Sequence, residues 1–156
     1  PYTTLFRSLQ PGQDIFFLMS SDANHYGHDF NNAPYGDDAK GHAMATAEDL
    51  GLARSYLTGT MDGEKITGLV GELWGSRFDQ TGNFLWCGRY SIPFGLMSIG
   101  KVMQLINDRP IRGTMIHYSD SYTEGVIPLK RSGMGITAPF SLKHWVGFFS
   151  AAYYIR

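Results

Sequence analysis

A strongly amphipathic segment at residues 62–74 constrains the fold more than any other feature of this chain. Its apolar residues follow helical spacing without a gap: Ile66, Leu69, Val70, Leu73 and Trp74. A helix with one apolar face is stable in water only when that face packs against another element. Residues 62–74 therefore predict a helix that covers a core, with Asp62 as its N-cap.

Two more segments show helical spacing. Residues 38–57 carry apolar side chains at Ala39, Ala43, Ala47, Leu50 and Leu57, and the predicted helix there is weakened or broken by Gly41 and Gly51. A third helix is predicted after Cys87, with Ser91 as N-cap and Pro93 in the first turn. The apolar face predicted for it consists of Ile92, Leu96, Ile99, Met103 and Ile106.

Three segments have the composition of strands. Residues 14–20 (DIFFLMS) form a short continuous apolar run, typical of a strand buried on both faces of a parallel sheet. Residues 112–118 and 145–155 read as two further strands, and the last is too apolar throughout to predict a solvated face. Together the segments predict an α/β fold with a central, mostly parallel or mixed sheet and packed helices.

Composition excludes several classes of protein. The 156 residues are 43% hydrophobic and 17% charged, as in a globular domain, and a net charge of -1 gives no basic surface for nucleic acid. No apolar run reaches the length of about 20 residues that spans a bilayer. With a single cysteine, no internal disulfide is possible, which suits a reducing, cytoplasmic location.

The first eight residues, PYTTLFRS, look like the translation of a sequencing adapter. Residues 1–8 are therefore interpreted as non-native, and residues 9–156 as the C-terminal portion of a single, N-terminally truncated domain. If residues 14–20 and 145–155 shared a sheet without the preceding strands, its apolar edge would be prone to aggregation.

A polar segment, SSDANHYGHDF, follows the first predicted strand. In open α/β sheets, ligands bind beyond the carboxyl ends of strands, which is where Asp22, His25 and His28 are expected. A carboxylate and imidazoles there are suited to proton transfer or to orienting a metal ligand. The alternative is a polar loop that caps the next element.

Cys87 lies in WCGRYSIP, just before a predicted helix and two residues from Arg89. Both features favour a thiolate, which is a soft metal ligand and a nucleophile. Two alternatives stay open. A lone cysteine is commonly a small buried hydrophobe, and a Cys–His hydrolase would need this thiol near a histidine such as His25, His117 or His144.

Two weaker patterns were also considered. GLMSIGK at residues 95–101 nearly matches a phosphate-binding loop, but Val102 replaces the hydroxyl that would hold magnesium and the glycines lie within a helical pattern. His117, Asp120 and Glu124 form a polar cluster after a predicted strand, and a solvated loop is the preferred interpretation.

The SSDANH loop, followed some sixty residues later by WCGRYSIP leading into a helix, resembles the Memo family, which includes the AmmeMemoRadiSam system protein B group. The resemblance covers residues 14–155. It implies the fold of class III extradiol dioxygenases and a site for non-haem iron or copper made of two histidines and one cysteine. Cys87 would be that cysteine, His25 the acid/base histidine and Asp22 the residue that orients it.

The resemblance also implies an incomplete site, because the two histidine ligands belong to an N-terminal half that this sequence lacks. Tyr90 stands where some family members have a histidine. The predicted function is that of a metal-dependent redox protein, dioxygenase-like, acting on an unidentified small molecule or peptide. The alternative is a scaffold of the same fold that binds a ligand or phosphopeptide without turnover.

Overall fold

The computed structural model describes residue 10 and residues 13–74, 86–125 and 141–155. The interpretation of residues 1–8 as adapter-derived lies outside these ranges. So do Phe84 and Leu85 of the predicted apolar approach to Cys87, and most of the excursion between the last two predicted strands.

The described residues form a mixed α/β fold with a four-stranded sheet in the order β1-β4-β3-β2. The strands are β1 His25–Tyr26, β2 Gly59–Thr60, β3 Ile111–Asp120 and β4 Trp145–Ile155. The helices are α1 Ala39–Tyr56, α2 Gly63–Trp74, α3 Ser91–Asn107 and the single turn α4 Ser121–Glu124. Short 3-10 turns lie at His28–Phe30 and Cys87–Arg89. None of the helices in these ranges has both the length and the apolar character needed to cross a bilayer.

The centre of the sheet is a long hairpin-like pairing of β3 with β4, in register from Ile111 opposite Ile155 to Asp120 opposite Gly147, with an irregularity at Met115 to His117. β1 joins the outer edge of β4, and β2 joins β3. Every one of these pairings is antiparallel. The described residues therefore do not form the predicted mostly parallel or mixed sheet. An apolar run does not indicate the direction of the strand that it forms.

The prediction of a buried strand at residues 14–20 is wrong. Residues 16–20 belong to no strand, and the side chains of Phe16 and Leu18 are 82% and 92% exposed. Met19 alone among these apolar residues packs on the core, against Gly95 of α3, where a Cβ atom would collide with its sulfur. The position beside β4 is taken by β1 instead, so this run adds no strand to the sheet.

α1 is continuous across both glycines and begins at Asp38, whose side chain accepts a hydrogen bond from the Gly41 backbone. Its buried face, however, is not the predicted one. Of the predicted apolar residues, Leu57 just after the helix is buried and Leu50 is half-buried, but Ala39, Ala43 and Ala47 are exposed. The buried residues within the helix are Gly41, Ala45, Asp49 and Ala53. The prediction failed because the true face contains a carboxylate and a glycine, which an apolar pattern does not count.

α2 and α3 agree closely with prediction. Asp62 caps α2 by accepting a hydrogen bond from the Lys65 amide at 2.8 Å, and α2 buries Ile66, Leu69, Leu73 and Trp74. In α3, Ile92, Leu96 and Met103 join the same core cluster, while Ile106 is exposed. Ser91 is the first residue of α3 rather than its N-cap, which is Tyr90.

β4 has the predicted bounds but not the predicted burial. Its alternate residues Phe148, Ser150, Ala152 and Tyr154 are exposed, whereas the intervening ones are buried or half-buried. The core lies between the other face of the sheet and the helices. The expectation that β4 lacks a solvated face is therefore wrong, because apolar side chains occupy the solvent side as well.

Candidate functional site

The two segments singled out in the sequence lie side by side. The Cys87 amide donates a hydrogen bond to the Ala23 carbonyl at 2.9 Å, and the Gly88 amide donates to the Asp22 carbonyl at 3.0 Å. Ser91 Oγ donates to Ser21 Oγ at 2.9 Å. Gly88 permits this contact, since a Cβ there would lie 2.5 Å from Ser21 Oγ. The SSDANH loop and the turn that opens α3 are thus joined over several residues.

Cys87 is exposed at the start of its 3-10 turn. This overturns the interpretation of Cys87 as a small buried hydrophobe. The buried residues of this segment are its neighbours Trp86 and Gly88, which anchor the turn on both sides of the thiol. Arg89 donates a hydrogen bond to the Trp86 carbonyl, and its guanidinium lies over the rings of Trp74 and Tyr90. The buried neighbours Trp86 and Gly88 therefore hold the Cys87 thiol at the surface.

Asp22 and His25 form a pair, with Asp22 Oδ2 3.2 Å from His25 Nε2. The side chains are 54% and 34% exposed, respectively. β1 fixes the histidine, because its backbone pairs with Val146 of β4. Asn32 donates hydrogen bonds to the His25 carbonyl and to the Asn24 side chain, both at 2.8 Å. A carboxylate on an imidazole nitrogen selects a tautomer and stabilises the imidazolium, so this pair is suited to proton transfer.

Next to His25 lies a second histidine that the sequence pattern did not connect with it. Phe30 packs against the His25 ring and the His144 ring, with centroids 5.0 Å and 4.4 Å away. His144 Nδ1 in turn lies 3.4 Å from Asp29 Oδ2. The sequence suggested His144 only as a candidate partner of the Cys87 thiol. Its approach to Phe30 depends on the pairing of β1 with β4, which has no local signal in the sequence.

The polar cluster of His117, Asp120 and Glu124 is not the solvated loop that was predicted, because His117 and Asp120 lie on β3 and Glu124 lies in α4. Asp120 is 2% exposed and caps α4 through the amides of Tyr122 and Thr123. Its other oxygen lies 3.1 Å from His42 Nε2 on α1. Glu124 accepts a hydrogen bond from Ser119, and His117 is exposed on β3. These contacts give Asp120 a structural role that links α1 to the sheet.

Asp49 was missed in the sequence and is the most deeply buried carboxylate in the described residues. Its two oxygens accept hydrogen bonds from Trp86 Nε1 at 2.8 Å and Tyr118 Oη at 2.7 Å. Burial raises the pKa of Asp49 to about 7, although both hydrogen bonds act in the opposite direction. Burial, together with the charge of Asp49, also raises the pKa of Tyr118. In the sequence, the only sign of a special role for Asp49 is a carboxylate among the alanines of the predicted helix at residues 38–57.

Within the described ranges, no three His, Cys, Asp or Glu side chains are grouped so that they could hold a metal ion. The residues present therefore supply Cys87 as a single soft ligand and do not complete a metal site. A described cavity of about 280 Å³ is lined by His28, Asn31, Asn32, Ala33 and Pro34. Neither Cys87 nor His25 lines this cavity; Cys87 is exposed, and the Asp22 and His25 side chains are partly exposed.

Comparison with models of known protein families found no match, and comparisons with curated proteins and with solved structures found none either. Membership of the Memo family and the extradiol dioxygenase fold thus stay predictions from the SSDANH and WCGRYSIP motifs. What the structure adds is the contact between these two motifs.

Proposed function

We propose that Cys87, Asp22 and His25 belong to one reaction site of a metal-dependent redox protein of the Memo type. The observation that carries the proposal is the pair of backbone hydrogen bonds from Cys87 and Gly88 to Ala23 and Asp22. They fix the turn that bears the thiol against the loop that bears the acid–base pair.

Each residue has a distinct role in this proposal. Cys87 is one ligand of an iron or copper ion, since a thiolate prefers soft and borderline metals over magnesium or calcium. The resemblance to the Memo family assigns the other two ligands to histidines that are not among residues 1–156. His25 donates or accepts a proton at the bound substrate, and Asp22 orients its ring and selects its tautomer.

The decisive experiment measures metal content in the full-length protein. The wild type is expected to hold about one iron or copper ion per chain, and Cys87→Ser is expected to lose most of it, because removing one of three ligands weakens the site strongly. Ser55→Ala, an exposed substitution in the last turn of α1, serves as the matched control.

His25→Ala separates the two roles. It should retain the metal and lose turnover, because the proposal assigns this histidine to proton transfer and not to metal binding. Unchanged metal content in Cys87→Ser would refute the ligand assignment. Equal ligand binding by the metal-stripped and metal-loaded protein, without turnover by either, would favour a scaffold that binds a peptide or small molecule.

A further inference from the structure

Asp49 connects three separate parts of the chain through one buried carboxyl group. It lies on the buried face of α1 and is 1% exposed. Trp86 donates to Oδ1 and Tyr118 of β3 donates to Oδ2. The backbone amide of Asn24 also lies near enough to act on Asp49, since it lowers the pKa of this carboxyl against the larger effect of burial. Asn24 immediately precedes His25, and Trp86 immediately precedes Cys87. The residues on both sides of the proposed site are therefore held by the same side chain.

The lack of a side chain at Gly147 lets β4 pack closely against the Asp49 carboxyl group. Gly147 of β4 lies directly over the carboxyl group, where a Cβ atom would be 2.7 Å from Asp49 Oδ2 and 2.6 Å from Tyr118 Oη. The Gly147 backbone also exchanges hydrogen bonds with the loop, since its carbonyl accepts from Ala23 and its amide donates to Asn24. Trp86 is fully buried, so its indole N–H cannot form a hydrogen bond with another partner unless the core opens.

The charged and titratable groups around Asp49 do not include a cation among the described residues. Glu48 of α1 is a neighbouring negative charge, and Tyr118 of β3 is a neutral donor that also feels Asp120. A buried carboxyl group without a cation is costly to keep if its only task is stability, since an apolar residue would fill the space at lower cost. The contacts of Asp49 instead fix the positions of Trp86 and Asn24.

We infer that Asp49 is a positioning residue that sets the placement of the Cys87 turn relative to the Asp22–His25 pair. The inference rests on the proposed function for its biological meaning, but the placement can be measured without metal or substrate. Asp49 touches neither the thiol nor the imidazole, and it acts through Trp86 and Asn24.

The test is amide hydrogen exchange, followed residue by residue by NMR. Asp49→Leu removes both acceptor oxygens at similar volume, and Asp49→Asn keeps one acceptor oxygen. In Asp49→Leu, the Cys87 and Gly88 amides, which bond to the loop, are expected to exchange about tenfold faster or more relative to the β3–β4 ladder. Asp49→Asn should restore most of their protection.

Leu69→Ala, a fully buried substitution on α2, is the matched control for general loss of stability. It should speed exchange across the fold without singling out Cys87 and Gly88. A second readout is the indole N–H signal of Trp86, which should shift with pH in the wild type and lose that shift in Asp49→Asn.

Equal acceleration of the Cys87 and Gly88 amides in Leu69→Ala and Asp49→Leu would overturn the inference, as would wild-type protection in Asp49→Leu. Either result is independent of metal content. Loss of metal in Cys87→Ser together with unaltered exchange in Asp49→Leu would leave the proposed function standing and remove only the positioning role.

Discussion

At the scale of the residue, burial decides what Asp49 and Cys87 can do. The carboxyl group of Asp49 is held by donors but shielded from water, so it is neutral over part of the range in which an exposed aspartate would be ionised. Cys87 has the opposite placement, since its thiol reaches the surface while its neighbours are buried. The residue types alone predicted neither the burial of Asp49 nor the exposure of Cys87.

Asp49 predicts a specific dependence of stability on pH. Its pKa is about 7 in the folded protein and lies near the ordinary aspartate value in the unfolded chain. Between these values the folded state binds more protons than the unfolded state, so the free energy of unfolding falls as pH rises. Relative to Asp49→Asn, the wild type should lose a few kcal/mol between about pH 4 and about pH 7.

Urea denaturation of both proteins across this range measures the difference. Below about pH 4 the gap between them should be constant, because the carboxyl group is then protonated in both states. A gap that did not change with pH, or that changed in favour of the wild type as pH rose, would show that Asp49 is not neutral in the folded protein near pH 5.

At the scale of the element, the contact between the loop and α3 makes a geometric prediction. Ser21 Oγ and Ser91 Oγ are 2.9 Å apart, so thiols at these two positions would lie close together. With Cys87→Ser to remove the natural thiol, the pair Ser21→Cys and Ser91→Cys should form a disulfide under mild oxidation. Mass spectrometry of a proteolytic digest detects the linked peptides.

Ser98→Cys combined with Ser21→Cys is the matched control, since Ser98 lies about 10 Å further along α3. It should remain reduced under the same conditions. Cross-linking of the control pair to the same extent, or no cross-linking of the Ser21 and Ser91 pair, would contradict the described packing of the loop on α3.

The elements also show what the sequence could and could not predict. The spacing of Ile66, Leu69 and Leu73 identified α2 because each of these side chains contributes to burial. The same method chose the wrong face of α1, where Asp49 and Gly41 are buried for reasons of hydrogen bonding and close approach. It also placed a strand at residues 14–20, because an apolar run is equally compatible with exposed extended chain.

The candidate site was predictable only in part for the same physical reason. Asp22, His25 and Cys87 stood out through their chemistry and through the motifs around them. His144 approaches Phe30, which packs on His25, only through the pairing of β1 with β4, and Asp49 contacts Trp86 beside Cys87 from α1. Long-range pairing is a property of the folded chain, and no short segment encodes it.

At the scale of the whole molecule, the helices cover one face of the sheet and leave the other exposed over the described residues. Phe148, Ile116 and Tyr154 on the sheet and Phe16 and Leu18 before it are all exposed apolar side chains. The predicted aggregation through a strand at residues 14–20 does not apply in that form, because this run is not part of the sheet.

The central claim is that Cys87 binds a metal in a site it shares with the Asp22–His25 pair. X-ray absorption at the metal edge of the full-length, metal-loaded protein tests it most directly. The wild type should show a sulfur scatterer at about 2.3 Å, a distance typical of a metal–thiolate bond. Cys87→Ser should lose that scatterer, and a sulfur shell unchanged by this substitution, or absent from the metal-loaded wild type, would contradict the claim.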